Sequence, residues 1–131
     1  MKIENQVVSL ELAKKMKELG FEQESAFYWR NAGQVGWQLE NEVWMRNKKE
    51  TAFSAYTVAE LGEMLPRYFE ENKSTGGLMF SIEGNGEAGV GYMASGYEGL
   101  YSLNNPDWIY GENEADARAK MLIFLRTNNL I

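Results

Sequence analysis

Histidine and cysteine, the residues that most often carry nucleophilic and metal chemistry at neutral pH, are both absent from this 131-residue chain. The chain therefore has no imidazole base, no Ser-His-Asp triad, no thiolate nucleophile, no disulfide and no zinc site of the usual ligands. Carboxylates, Lys, Tyr, Ser and Thr remain, and none of them stands in a recognised catalytic motif. We expect a protein that is not an enzyme and that uses no metal or cofactor.

A glycine-rich motif and a carboxylate cluster each have a structural explanation. Residues 84–89 match the GxGxxG spacing, but a dinucleotide site needs a helix next, and residues 90–93 are strand-like. The pattern instead predicts a β-hairpin turn at Asn85-Gly86. Glu112, Glu114 and Asp116 cluster near the start of a predicted helix, where acidic side chains complement the helix dipole. An acid/base pair or a magnesium site would require these carboxylates to converge.

The acidic residues are concentrated in one half of the chain. The whole sequence has nineteen acidic and thirteen basic residues, a net charge of −6. Residues 68–117 hold nine of the acids and one base, Lys73, a net charge of −8. Phosphate binding depends on Lys and Arg, so this distribution disfavours direct nucleic-acid binding and favours a partner with a basic surface.

Tyr and Trp residues within the acidic half suggest where such a partner would dock. Eight of the 13 glycines lie between residues 76 and 99, where they allow either close approach of a ligand or simple turns and bulges. Aromatic side chains beside this segment could anchor a partner, or could cover a second small core. The candidate binding residues, which we call the acidic aromatic surface, are Trp44, Tyr97, Glu98, Tyr101, Trp108, Tyr110 and Glu112.

Two alternatives remain open. The first is a protein that binds a small nucleotide between aromatic rings, with Arg30, Arg46 or Lys48 contacting phosphate. The second is a minor phage structural or assembly protein, and self-association through exposed strand edges is compatible with it.

The order of elements predicts an α+β fold. Three helices are expected. The first covers residues 9–19, the second begins at a Thr57–Glu60 capping box, and the third begins at an Asn113 cap and continues through the apolar segment that follows it. Extended segments are expected at residues 26–30, 36–40, 43–46, 52–56, 78–83, 88–94 and 108–110. Together they predict one domain, residues 1–131, with an antiparallel sheet of five to six strands packed with three helices.

No stretch of the sequence reaches the apolar length needed to span a membrane, and the first residues lack the apolar run of a secretory signal. We therefore expect a cytoplasmic protein that makes no membrane contact.

Four segments carry a family resemblance: Phe27-Tyr28-Trp29 and residues 8–15, 56–66 and 114–125. Together they resemble small uncharacterised proteins of bacteriophages and prophages. The shared residues are mainly helix caps and buried faces, so the resemblance implies a fold and an origin. It implies action in the cytoplasm of a bacterial host. The first hypothesis is therefore a phage-type binding protein that inhibits a host defence protein through the acidic aromatic surface.

Overall fold

The computed structural model describes residues 2–42, 51–66, 76–82, 88–94, 108–129 and 131. These residues form three α-helices and six β-strands, which confirms the predicted α+β class. The elements are α1 (Leu10–Glu18), β1 (Phe27–Asn31), β2 (Trp37–Asn41), β3 (Phe53–Ser54), α2 (Val58–Met64), β4 (Gly76–Ile82), β5 (Ala88–Ala94), β6 (Trp108–Gly111) and α3 (Glu114–Thr127). Single 3₁₀ turns occur at Ile3–Asn5 and Gly33–Val35.

The strands belong to two sheets, so the prediction of one sheet of five to six strands was wrong. The first sheet has the order β2-β1-β3 and the second the order β4-β5-β6, with antiparallel neighbours throughout. β3 pairs with β1, and the chain then enters α2 instead of adding another strand to this sheet. Extended segments can be predicted from residue alternation, but the edges that meet depend on long-range packing.

The helix ends follow the predicted capping chemistry. Ser9 occupies the N-cap position of α1, although its side chain makes no capping hydrogen bond, and Gly20, with φ of +82°, follows the end of this helix. Thr57 and Glu60 form the predicted capping box of α2, with the Thr57 Oγ1 accepting from the Glu60 backbone N–H at 3.2 Å. The Asn113 side chain caps α3.

Helix α3 is at the centre of the core. It packs against α1, α2, β5 and β6, and most of its apolar side chains are buried, as predicted for a helix that is apolar nearly all round at its centre. The fully buried Met16, Leu61 and Leu122 show that all three helices contribute to one cluster. A smaller cluster of Tyr28 and Ala52 accompanies the first sheet. None of the described helices combines the length and apolar character required to cross a membrane.

Two local predictions for the second sheet are confirmed. β4 and β5 pair as neighbours in an antiparallel hairpin that ends at Ile82 opposite Ala88, although residues 83–87 of the predicted turn lie outside the described residues. β6 is the predicted last short strand, and it pairs with β5. Because β5 follows the GxGxxG spacing, no helix N-terminus stands where a dinucleotide pyrophosphate would need one.

Candidate binding site

The acidic aromatic surface is described only at its β6 end. Trp108 and Tyr110 belong to β6, and Glu112 follows it. The side chain of Tyr110 is 42% exposed, and Glu112 is also exposed. The remaining predicted binding residues lie outside the described residues: Trp44, Tyr97, Glu98 and Tyr101, together with Arg46 and Lys48. The acidic aromatic surface as a whole therefore stays a prediction.

Strand β6 is fixed between β5 and α3. Tyr110 pairs with Gly89 and Trp108 with Gly91, while the Tyr110 carbonyl accepts a hydrogen bond from Lys120 Nζ at 3.0 Å. At Gly111 a Cβ atom would lie 2.4 Å from the Ala117 backbone nitrogen. The need for glycine at position 111 is explained by close approach between two backbone segments of the fold, and not by close approach of a ligand.

The predicted carboxylate cluster is divided between two structural roles. Asp116 is buried, and its Oδ1 accepts from the Ser9 backbone N–H, at the start of α1, at 2.8 Å. Burial raises the pKa of Asp116, and the hydrogen bond from Ser9 opposes that rise. Glu114 forms an ion pair with Arg118 at 2.6 Å. Within the described ranges, no three acidic side chains converge to hold a metal ion.

An open groove of about 520 Å³ lies on the first sheet, a region that the sequence had not singled out as a binding site. We call it the edge groove, because its lining includes all five residues of β2, which is an edge strand of that sheet. Its lining consists of Ile3, Glu4, Phe27, Trp29, Trp37, Gln38, Leu39, Glu40 and Asn41.

The pairing of β1 with β2 places the apolar side chains of the edge groove together. Trp29 is opposite Leu39 and Phe27 is opposite Asn41, and directly opposed residues of an antiparallel pair share one face of the sheet. Trp37, two residues before Leu39, has its side chain on the same face. The indole Nε1 of Trp29 donates to the Val8 carbonyl at 2.8 Å, which holds that ring in one orientation.

Cations already lie near the aromatic rings of this face. The Trp37 and Phe53 ring centroids are 5.6 Å apart. Lys14 Nζ lies 4.9 Å from the Trp37 centroid, and Lys17 Nζ lies 5.1 Å from the Phe53 centroid. These distances are within the range of cation–π attraction, so the aromatic surface next to the groove is one that favours positive charge.

The charges of the groove lining are acidic. Glu4 and Glu40 are the charged residues of the described lining, which has no Lys or Arg among its described residues. Glu40 Oε1 accepts from Arg30 Nη2 at 2.8 Å, which offsets the Glu40 charge. Among the described residues Glu4 has no ion-pair partner, and it is exposed. A ligand cation would therefore meet the Phe27 and Trp29 rings and an available carboxylate, whereas Lys14 already lies over the Trp37 ring.

Arg30 is the only predicted phosphate contact that the described part of the chain includes. Its guanidinium is bonded to Glu40, and its side chain is 30% exposed. A phosphate at Arg30 would have to compete with this carboxylate, so the arrangement gives no support to nucleotide binding there.

The sequence contained a signal for this groove. Phe27 and Trp29 alternate in one strand, and Trp37 and Leu39 alternate in the next, which indicates one continuous apolar face. The alternation alone is equally typical of a face that is completely covered by the core. It could not show that the β2 side of the face remains accessible.

Comparison of the chain with protein-family models, with curated proteins and with solved structures finds no match. The functional conclusion therefore follows from the chemistry of the groove itself.

Proposed function

We propose that this protein is a non-enzymatic binding protein that docks a basic segment of a partner protein in the edge groove. The observation that carries this proposal is the lining, in which the described residues combine Phe27, Trp29 and Trp37 with two carboxylates and include no basic side chain. Buried aromatic anchors supply most of the energy of many protein interfaces, and complementary charge supplies orientation and selectivity.

The partner follows from the same chemistry. A Lys or Arg side chain gains from aromatic faces and from a nearby carboxylate, whereas an acidic segment would be repelled by Glu4 and by the net charge of −6. The resemblance to phage proteins suggests a host protein in the bacterial cytoplasm, and a defence nuclease with a basic nucleic-acid channel has the required charge. Occupation of that channel would inhibit the nuclease.

The proposal is tested with a capped octapeptide of alternating Lys and Val, and calorimetry measures its dissociation constant. We expect Trp37→Ala and Glu4→Gln each to weaken binding by about tenfold, since each removes one recognition element. An octapeptide of alternating Glu and Val should not bind.

Tyr110→Ala is the matched control, because it removes an exposed aromatic ring from the other candidate surface. We expect this variant to bind the basic peptide as the wild type does. If Tyr110→Ala abolishes binding while Trp37→Ala leaves it unchanged, the partner docks on the acidic aromatic surface and the edge groove is the wrong site. Absence of binding to the wild-type protein would contradict the proposal as a whole.

A further inference from the structure

The hydrogen-bonding pattern of β2 determines which of its backbone groups face the edge groove. The Glu42 N–H donates to the Ala26 carbonyl at 3.0 Å, and the Ala32 N–H donates to the Gly36 carbonyl at 2.7 Å. In an antiparallel ladder, alternate opposed pairs exchange hydrogen bonds. The residues of β2 that bond to β1 are therefore Gln38 and Glu40.

The backbone groups of Trp37 and Leu39 consequently point away from β1. The Phe27 carbonyl agrees with this alternation, because it accepts from the Ala55 N–H on the opposite side of β1. β2 is an edge strand, and no strand within the described ranges pairs with its outer side. Two N–H and two C=O groups are thus presented along an accessible edge, which is a template for another strand.

The shape of the edge groove coincides with this edge. Five consecutive residues of β2, Trp37–Asn41, line it. Successive side chains of a strand point to opposite faces, so a groove that contacts all five must run along the backbone edge itself. Ile3 and Glu4 of the first 3₁₀ turn also line this space.

We propose that the partner segment binds as an added β-strand, with its backbone bonded to Trp37 and Leu39. This inference rests on the proposed function and specifies its binding mode. Main-chain hydrogen bonds would supply sequence-tolerant affinity, and alternate side chains of the added strand would lie on the face that carries Trp29 and Phe27. The occupant is therefore an extended segment with basic residues, and not a helix or a folded basic surface.

The test uses the Lys-Val octapeptide and two N-methylated isomers, one methylated at the Lys nitrogens and one at the Val nitrogens. In an added strand only alternate N–H groups face β2, so methylation of one set removes those donors while the other set faces away. We expect one isomer to bind at least about tenfold more weakly and the other within about twofold of the unmodified peptide. Two isomers with equal affinity would overturn strand addition, whether both bind or both fail.

Hydrogen exchange of single amides gives a second readout. On binding, the Trp37 and Leu39 amides should exchange at least about tenfold more slowly, because they gain hydrogen-bond acceptors. Gln38 and Glu40 are internal controls, since their amides already bond to β1 and should change little. Protection of Trp37 and Leu39 in the free protein, together with a dimer in sedimentation, would assign the edge to a second copy of this chain and overturn the proposal.

The two proposals fail in distinguishable ways. If the unmodified peptide does not bind, basic-segment docking itself is wrong. If it binds with the expected loss in Trp37→Ala but the methylated isomers do not differ, the docking stands and strand addition is wrong.

Discussion

The two sheets are attached to the rest of the molecule by different kinds of contact. The first sheet and its flanking residues use directional polar bonds, such as Trp29 Nε1 to the Val8 carbonyl and the Tyr56 hydroxyl to the Glu22 carbonyl. The second sheet has one such bond, from Lys120 Nζ to the Tyr110 carbonyl, and adds close packing of small residues, with Ala88 buried and Gly111 directly against the backbone of α3.

Within the described residues, this difference accounts for an accessible groove on the first sheet. A few directional bonds fix the orientation of a sheet without requiring its whole face to be covered. Glycine and alanine instead let backbones approach until little space remains, so the β6–α3 contact has no room for a ligand. One carbon atom added at the β6–α3 contact should therefore lower the free energy of unfolding more than the loss of one polar contact of the first sheet.

The largest effect is expected for Gly111→Ala. The new Cβ would lie 2.4 Å from the Ala117 nitrogen and 2.8 Å from the Asp116 carbonyl carbon, and these backbone atoms can move only if β6 separates from α3. We expect a loss of about 3 kcal/mol in the free energy of unfolding, measured by urea denaturation with tryptophan fluorescence.

Gly62→Ala is the control for this variant. Its Cβ would lie 2.3 Å from Arg118 Nη1, an equally short approach but to the end of a flexible side chain. We expect a change within about 1 kcal/mol, because Arg118 can rotate and alanine favours the helix. Equal losses in the two variants would show that the β6–α3 contact is not especially tight.

An intermediate effect is expected for Tyr56→Phe at alkaline pH. Burial raises the pKa of Tyr56 to about 12. The folded chain therefore keeps a proton that an unfolded tyrosine loses above about pH 10, so this group's contribution to stability falls as the pH rises. The wild type should lose about 2 kcal/mol between pH 9 and 12 that Tyr56→Phe does not lose.

Denaturation curves at several pH values measure this difference, and Tyr110→Phe is the control because Tyr110 is exposed. We expect Tyr110→Phe to keep the wild-type pH dependence. If Tyr56→Phe is as sensitive to alkali as the wild type, the Tyr56 hydroxyl is not the buried polar contact described for the first sheet.

The smallest effect is expected for Lys14→Gln. Lys14 lies over the Trp37 ring at the margin of the first sheet, and loss of such a contact costs about 0.5–1 kcal/mol. Lys15→Gln is the matched control on α1, since Lys15 is exposed, and it should change stability by less than about 0.5 kcal/mol. Lys14 Nζ also lies 5.8 Å from the Phe53 centroid, so in a Trp37→Leu background the two lysine variants should become more alike but not equal, which a double-mutant cycle measures.

Local features of the fold could be read from the sequence because short-range chemistry determines them. Gly20, the Thr57–Glu60 capping box and the Asn113 cap act within one helical turn, and the structure contains all three. The division into two sheets could not be read in this way. It depends on β3 pairing with β1 across more than twenty residues of chain, and residue alternation is the same for either arrangement.

The sequence suggested the kind of partner that we propose, but not the place where that partner would dock. An acidic protein with many aromatic residues suggests a basic partner, and the edge groove has that chemistry. Its location depends on which side of an aromatic face the helices leave open, and the sequence of a strand does not record what covers it. Tyr110 and Glu112 remain a second candidate on β6, both exposed as a docking surface requires.

The bonds between α1 and α3 set a limit on how early the fold can be completed during synthesis. Ser9 bonds to Asp116 and Leu19 to Arg126, and each pair is separated by 107 residues. At about 5–20 residues per second, a ribosome needs about 5–20 s to make the second member of each pair after the first. During that interval Met16, which is fully buried in the finished molecule, has no α3 to cover it. The apolar face of the nascent first helix therefore lacks its final packing partner until the last helix has been made.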